Sequence, residues 1–255
     1  MQCAHAPENS AGIPGIRWVP ATNCRSYAPG GGVGRTALVT RAGSATGIGF
    51  AAARMLGELG ARVILTGTTA RVFDRAEELT ADGLDAVGIV CTRDSAAGAA
   101  GLEAALTAGG HKPTILVNNA GTVAVGDAKM GHGDILTSPA EWDRGLASNL
   151  STAFHATRAV TSFMRAAGWG RIVTVSSVSG TIMASRGDVA YAAAKARLVG
   201  LTRALDLAVN EAGAGITSNA VAPGWIATGS QLTSEALAGA LVPAGRSRFT
   251  GQSVR

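Results

Sequence analysis

From Arg35 onward the chain repeats one pattern, a short β-branched and aliphatic run followed by a longer segment rich in Ala and Leu. The short runs are TALVT, ARVILTG, DAVGIVC, PTILVNN, GRIVTVSS and GITSNAVA, beginning at residues 36, 61, 85, 113, 170 and 215. Strand then helix, repeated, means a parallel sheet, because parallel neighbours need a crossover and a helix supplies it. Such crossovers are almost always right-handed, so the expected fold is a doubly wound α/β sheet of the Rossmann kind. Helices should cover both faces, and ligands should sit at the carboxyl ends of the strands. A chain of 255 residues, 47% hydrophobic and 15% charged, suits a single domain, taken here as 35–255. Residues 1–34 have no helical or alternating period and are broken by four Pro and several Gly, so they read as a flexible extension.

Several function classes are disfavoured. No apolar run approaches the roughly 20 residues of a membrane span, and no basic stretch followed by an apolar one opens the chain, so the expected location is cytoplasmic. Cys3, Cys24 and Cys91 are widely spaced and have no histidine cluster beside them, which argues against a disulfide framework and against a metal site. The net charge of +5 comes from scattered arginines with few aromatics, which gives nucleic acid little support but suits a phosphorylated cofactor or an acidic carrier. His111 and His132 lie in loop-like sequence and read as solvated.

Two stretches carry chemistry. TRAGSATGIG follows the first strand and places Gly43, Gly47 and Gly49, with Ile48, at a strand-to-helix turn. There, missing side chains let backbone N–H groups and a helix N-terminus approach a pyrophosphate. VAYAAAKARLVGLTRALDLAV predicts a helix over 188–212, on which Tyr191 and Lys195 stand at i and i+4 and share a face. A phenol ordinarily titrates near ~10, and an adjacent cation pulls that down, making Tyr191 a usable general acid. By itself the spacing more often marks nothing but an exposed amphipathic helix.

The glycine loop, NNAG from Asn118 to Gly121, the set Ser177, Tyr191 and Lys195, and NAVAPGWIAT from Asn219 to Thr228 occur in an order that resembles the short-chain dehydrogenases/reductases. The likeness is greatest to the 3-oxoacyl-carrier-protein reductases and covers residues 35 to about 230. It implies that Tyr191 protonates a carbonyl oxygen as hydride arrives from a nicotinamide, and that Lys195 lowers the Tyr191 pKa and holds the nicotinamide ribose. Ser177 would hydrogen-bond the same oxygen, and Asn149 would anchor a water that relays protons. Ser176, adjacent on the strand, would point away and pack or bond backbone. Asn118, Asn119, Ala120 and Gly121 would line the cofactor, with Asn118 tying neighbouring strands. Pro223, Gly224, Ile226 and Thr228 would border the nicotinamide end.

At the end of the second strand Gly67 stands where an NAD enzyme commonly carries an acid, while Thr68, Thr69 and Arg71 are available to a 2′-phosphate. NADP is therefore expected, with NAD possible. The substrate implied is a small-molecule or acyl-carrier-linked ketone, such as a 3-oxoacyl thioester. An NAD-dependent secondary-alcohol dehydrogenase and an inactive dinucleotide-binding subunit are the rivals.

The chain departs from the family pattern in four places. Arg41 and Ala42 separate Thr40 from Gly43. Thr92 or Asp94 replaces the adenine-side Asp. The Ser177 to Tyr191 spacing is one residue longer than the commonest. After ALVPAGRS the chain passes directly to RFTGQSVR, so the C-terminal end reads as incomplete. Since one family dimer interface uses helices corresponding to about 149–167 and 190–212, a homodimer is expected.

Overall fold

The computed structural model describes residues 31–121, 135–183, 189–210, 213, 215–224, 226 and 228. Six parallel strands, β1 (Thr36–Thr40), β2 (Arg62–Gly67), β3 (Ala86–Val90), β4 (Ile115–Asn118), β5 (Gly170–Val175) and β6 (Ile216–Val221), form one sheet in the order β3-β2-β1-β4-β5-β6. All six anticipated runs became strands. The order reverses between β1 and β4, and it is at such a switch point that a crevice opens beyond the carboxyl ends.

The strands alternate faces in register. Leu38, Ile64, Leu116, Ile172 and Ile216 face α3 (Ala96–Ala108), α5 (Thr152–Ala167) and the end of α7 (Val189–Asn210), burying Leu102, Leu106, Val160, Met164 and Val209. Val39, Val63, Leu65, Val117 and Val175 face α1 (Ile48–Glu58) and α2 (Arg71–Ala81), burying Phe50, Ala53, Ala76 and Leu79. Burial on both faces explains why the strand sequences are nearly continuous aliphatic runs. The edge strand β3 is only half-buried, and there Gly88 lets the α2 backbone approach, a Cβ meeting Val72 O at 2.8 Å.

The helix anticipated over about 149–167 is built from a π-helical turn and α5, and a further helix precedes it. α4 (Pro139–Leu146) starts at a capping box between Ser138 and Glu141 with Pro at its first position, which fixes its start. A π-helical turn, Ala147–Ser151, then carries the chain into α5. The extra residue of a π turn rotates everything after it relative to α4, and such turns concentrate at functional sites. Asn149 lies at the centre of this one. α5 ends at Gly168 in the left-handed conformation, with Arg165 in its last turn, as a helix C-terminus favours.

Candidate active site

The carboxyl edge of the sheet is assembled by strand ends that bond one another through side chains. Thr40, the last residue of β1, is fully buried, and its Oγ1 accepts from the backbone N–H groups of Asn119 and Ala120, both at 2.9 Å. Thr40 thus remains at the strand end despite the two residues before Gly43. What differs is the turn itself: Arg41 is the only described non-glycine residue with positive φ, at 53°. Asn119 Nδ2 in turn donates to Thr40 O and Arg41 O, so it is Asn119 that joins neighbouring strand ends.

Asn118 does not tie strands or line the crevice, contrary to expectation. It is 2% exposed and turns the other way, donating to Thr157 Oγ1 on α5 at 3.0 Å, because successive residues of β4 point to opposite faces.

The glycine loop is tight where it matters. A Cβ on Gly49 would lie 2.4 Å from Asn119 Nδ2 and 2.9 Å from Arg41 O, so the start of α1 touches the β1 and β4 ends only because no side chain intervenes. Gly43 would tolerate a Cβ, with its nearest neighbours at 3.5 Å, and Gly47 would meet Ser44 at 3.1 Å. The close approach thus falls on Gly49, which with Ile48 begins α1 and leaves orphan N–H groups facing the crevice.

Gly121 marks the other side of the crevice. Its φ is +122°, and a Cβ there would sit 2.6 Å from Asn149 Oδ1 and 3.2 Å from Lys195 Nζ. The missing side chain keeps β4, the π turn and α7 in contact at one point. Asn149 is buried, and its Nδ2 donates to Gly145 O at 3.0 Å and Ser148 Oγ at 3.2 Å, which fixes the amide.

Lys195 is the largest fully buried side chain among the described residues. Its Nζ donates to Val175 O at 2.9 Å and lies 5.5 Å from the Tyr191 ring centroid. Ser176 closes the loop from the other side, its Oγ donating to Lys195 O at 2.7 Å. These two bonds run in opposite directions between the end of β5 and one turn of α7, so the lysine is held both at its backbone and at its tip. Burial, and then the charge of Arg41, push the Lys195 pKa down to about 8. Ser177 follows β5, with its Oγ accepting from Ser179 N at 3.1 Å at the start of the irregular turn α6 (Val178–Thr181), which packs on α7. Val178 N donates to Pro223 O at 3.0 Å, bringing the segment after β6 to the same edge. Gly224 and Ile226 are exposed there, and Thr228 N donates to Ile226 O at 2.8 Å.

At the β2 end Thr68, Thr69 and Arg71 are exposed, with Arg71 Nε donating to Thr69 Oγ1 at 3.2 Å. The crevice fits a dinucleotide: its two glycine contacts leave backbone room that a Cβ would fill, a helix N-terminus faces it, and the buried cation Lys195 stands at its side. Among the described residues no group of three or more His, Cys, Asp or Glu is placed to hold a metal ion.

The sequence model described as short chain dehydrogenase matches residues 35–236. The chain is a short-chain dehydrogenase/reductase. It is an NAD(P)-dependent oxidoreductase, and no described helix is long and apolar enough to cross a membrane. Over 196 residues this dehydrogenase/reductase is 40% identical to the 3-oxoacyl-[acyl-carrier-protein] reductase FabG of Pseudomonas aeruginosa, covering 76% of this chain and 75% of that one. It is 38% identical over 203 residues to a D-beta-hydroxybutyrate dehydrogenase of Cupriavidus necator, covering 76% and 72%. A putative NAD(P) dependent gluconate 5-dehydrogenase from Beutenbergia cavernae, solved with bound NADP at low occupancy, superposes with a TM-score of 0.71 at 37% identity over 86% of each chain.

Of the residues named from the sequence, Asn149 and Lys195 both approach Gly121, the Tyr191 ring lies beside Lys195 Nζ, and Ser177 lies on the same edge. Ser176 bonds backbone, as expected, but the reading missed that the backbone is that of Lys195. It also missed Arg93, whose side chain is buried among the strand ends. His111 is half-buried rather than solvated: its Nδ1 is enclosed, and burial lowers its pKa. His132, Cys3, Cys24, residues 1–30 and the C-terminal segment from 229 lie outside the described residues.

Proposed function

We propose that this enzyme reduces a ketone, a 3-oxoacyl thioester or a close analogue, to the secondary alcohol with NADPH. The observation that carries this reading is the buried Lys195, held at its ammonium by Val175 O and at its backbone by Ser176, beside the Tyr191 ring at the carboxyl edge of the sheet. Gly43, Gly47, Ile48 and Gly49 would hold the pyrophosphate, and Thr68 and Arg71 the 2′-phosphate. Asn119, Ala120, Gly121, Tyr191 and Lys195 would hold the nicotinamide ribose side, and Pro223, Gly224, Ile226 and Thr228 the nicotinamide end. When bound there, NADPH supplies the hydride that the carbonyl carbon accepts.

The chain's own groups manage the oxygen and its proton. Ser177 and Tyr191 hydrogen-bond the carbonyl oxygen, which orients the substrate and stabilises the charge that grows on it. Tyr191 gives up its phenolic proton to that oxygen. Lys195, still largely protonated at neutral pH with its pKa about 8, lowers the phenol's pKa toward the working range. Asn149, fixed at the π turn, holds a water that returns a proton towards Lys195 and Tyr191. An apolar recess of about 330 Å³ beside the start of α7, lined by Ile135, Thr137, Pro139, Trp142 and Val189, offers surface to an acyl chain.

The 3-oxoacyl class is supported by the likeness to the Pseudomonas reductase. NADP is supported by the bound NADP of the Beutenbergia structure and by the absence of an acid at Gly67. Purified protein offered NADPH or NADH with a panel of 3-oxoacyl thioesters and small ketones should consume NADPH preferentially, and Tyr191→Phe should reduce turnover at least a thousandfold with cofactor affinity retained. Turnover of the Phe variant within tenfold of wild type would refute the acid assignment. Consumption of neither cofactor with any ketone would refute the reading itself.

A further inference from the structure

Arg93 follows β3, on the flank where the family pattern expects an acid. It is 4% exposed, yet it carries a guanidinium. Its Nη1 donates to Thr66 Oγ1 at 2.8 Å and to Cys91 Sγ at 3.1 Å, and its Nε is buried without a partner. The ion pairs among the described residues use Arg54, Arg62 and Arg75, and none involves Arg93, Arg71 or Arg41. A guanidinium taken out of water without a carboxylate is a standing cost unless an anion completes the site.

The three uncompensated cations come from the ends of three adjacent strands: Arg41 after β1, Arg71 at the start of the helix following β2, and Arg93 after β3. They are close enough that Arg71 and Arg93, after burial, both depress the Arg41 pKa. A Rossmann crevice places its dinucleotide across this edge.

We propose that Arg93 is the fixed cation of a phosphate site at the β1–β2–β3 ends, and that this chain selects the 2′-phosphate of NADP through it together with Arg41 and the exposed Arg71. The inference rests on the cofactor reading given above and goes beyond it by placing the selectivity on a buried residue of the third strand's end. Burial matters to the argument. Exposed Arg71 is screened by salt and loses side-chain freedom on binding, whereas Arg93 is already ordered by Thr66 and Cys91 and loses little more. The left-handed Arg41 fits the same logic: a long cation occupies a turn that glycine would take with less strain.

The test is calorimetric titration of the purified enzyme with 2′,5′-ADP and with 5′-AMP, which needs no substrate and no turnover. Wild type should bind 2′,5′-ADP at least ~10-fold more tightly than AMP, the scale of a charge-assisted contact. Arg93→Met, which substitutes an apolar side chain for an unpaired buried charge and should not impair folding, should lose most of that preference while AMP affinity stays within about twofold. Arg93→Lys should recover part of it. Equal binding of the two nucleotides by wild type would overturn the proposal while leaving ketone reduction with NADH intact. Equal weakening of both nucleotides in Arg93→Met would overturn it too, by showing that Arg93 supports the base instead. A preference for 2′,5′-ADP that depends on Arg93, in an enzyme that consumes NADPH with no ketone, would uphold this inference and refute the substrate reading.

Discussion

Replacing Lys195 by Met removes an ammonium that folding has buried, so the variant should be more stable than wild type at neutral pH even though it is inactive. In the unfolded chain the lysine holds its proton up to about 10.5, whereas in the fold burial and Arg41 lower that to about 8. Between those values the unfolded state binds more protons, so wild-type stability rises with pH through this window and is reduced below it. The difference corresponds to about 3 kcal/mol at pH 7. Against it stands the Val175 carbonyl, which loses the 2.9 Å bond from Nζ and costs about 1–2 kcal/mol when left unpaired. The net expectation for Lys195→Met at pH 7 is a gain of about 1–2 kcal/mol, or roughly 2–8 °C in Tm for a chain of this size.

Urea denaturation of both proteins at pH 7 and pH 9.5 reads this directly. Deprotonation relieves the wild type as pH rises, so the stability difference should shift by about 2 kcal/mol in favour of the wild type between those two conditions, erasing or reversing the variant's advantage. A variant that is less stable than wild type at pH 7, with a difference that does not move with pH, would refute the claim that Lys195 is a buried charge maintained against stability for function.

Three further outcomes follow from the same geometry. Gly49→Ala forces a Cβ against Asn119 Nδ2 and Arg41 O, so it should cost about 1–3 kcal/mol in denaturation and weaken AMP binding, while Gly43→Ala, with room for a Cβ, should cost under about 1 kcal/mol. Ser176→Ala removes the bond to Lys195 O, and about 1 kcal/mol of stability should be lost with the kcat pH profile displaced, since the lysine is then held only at its tip; an unmoved profile would make Ser176 purely structural. Light scattering should give a homodimer, because α5 and α7 leave Phe154 at 47% and Leu207 at 76% exposure; a monodisperse monomer would refute that expectation.

The sequence by itself determined the layered fold. Period-two burial on both faces requires continuous aliphatic runs, and strand–helix alternation allows few topologies, so all six strands were legible before any coordinates. The chemistry-bearing residues that are local in sequence were legible too: Tyr191 and Lys195 face one way because a helix repeats every 3.6 residues. What depends on residues distant in the chain was settled by packing. That Asn119 and not Asn118 joins the strand ends, that Ser176 fastens Lys195, and that the π turn carries Asn149 to Gly121 are consequences of packing across 19 to 80 residues of sequence. Arg93 is the sharpest case. In the sequence it is one of many scattered arginines, and nothing local distinguishes a solvated guanidinium from a buried one. Its guanidinium is buried against Thr66 at the end of β2 and Cys91, and no described carboxylate pairs with it, which is a matter of packing between segments distant in sequence.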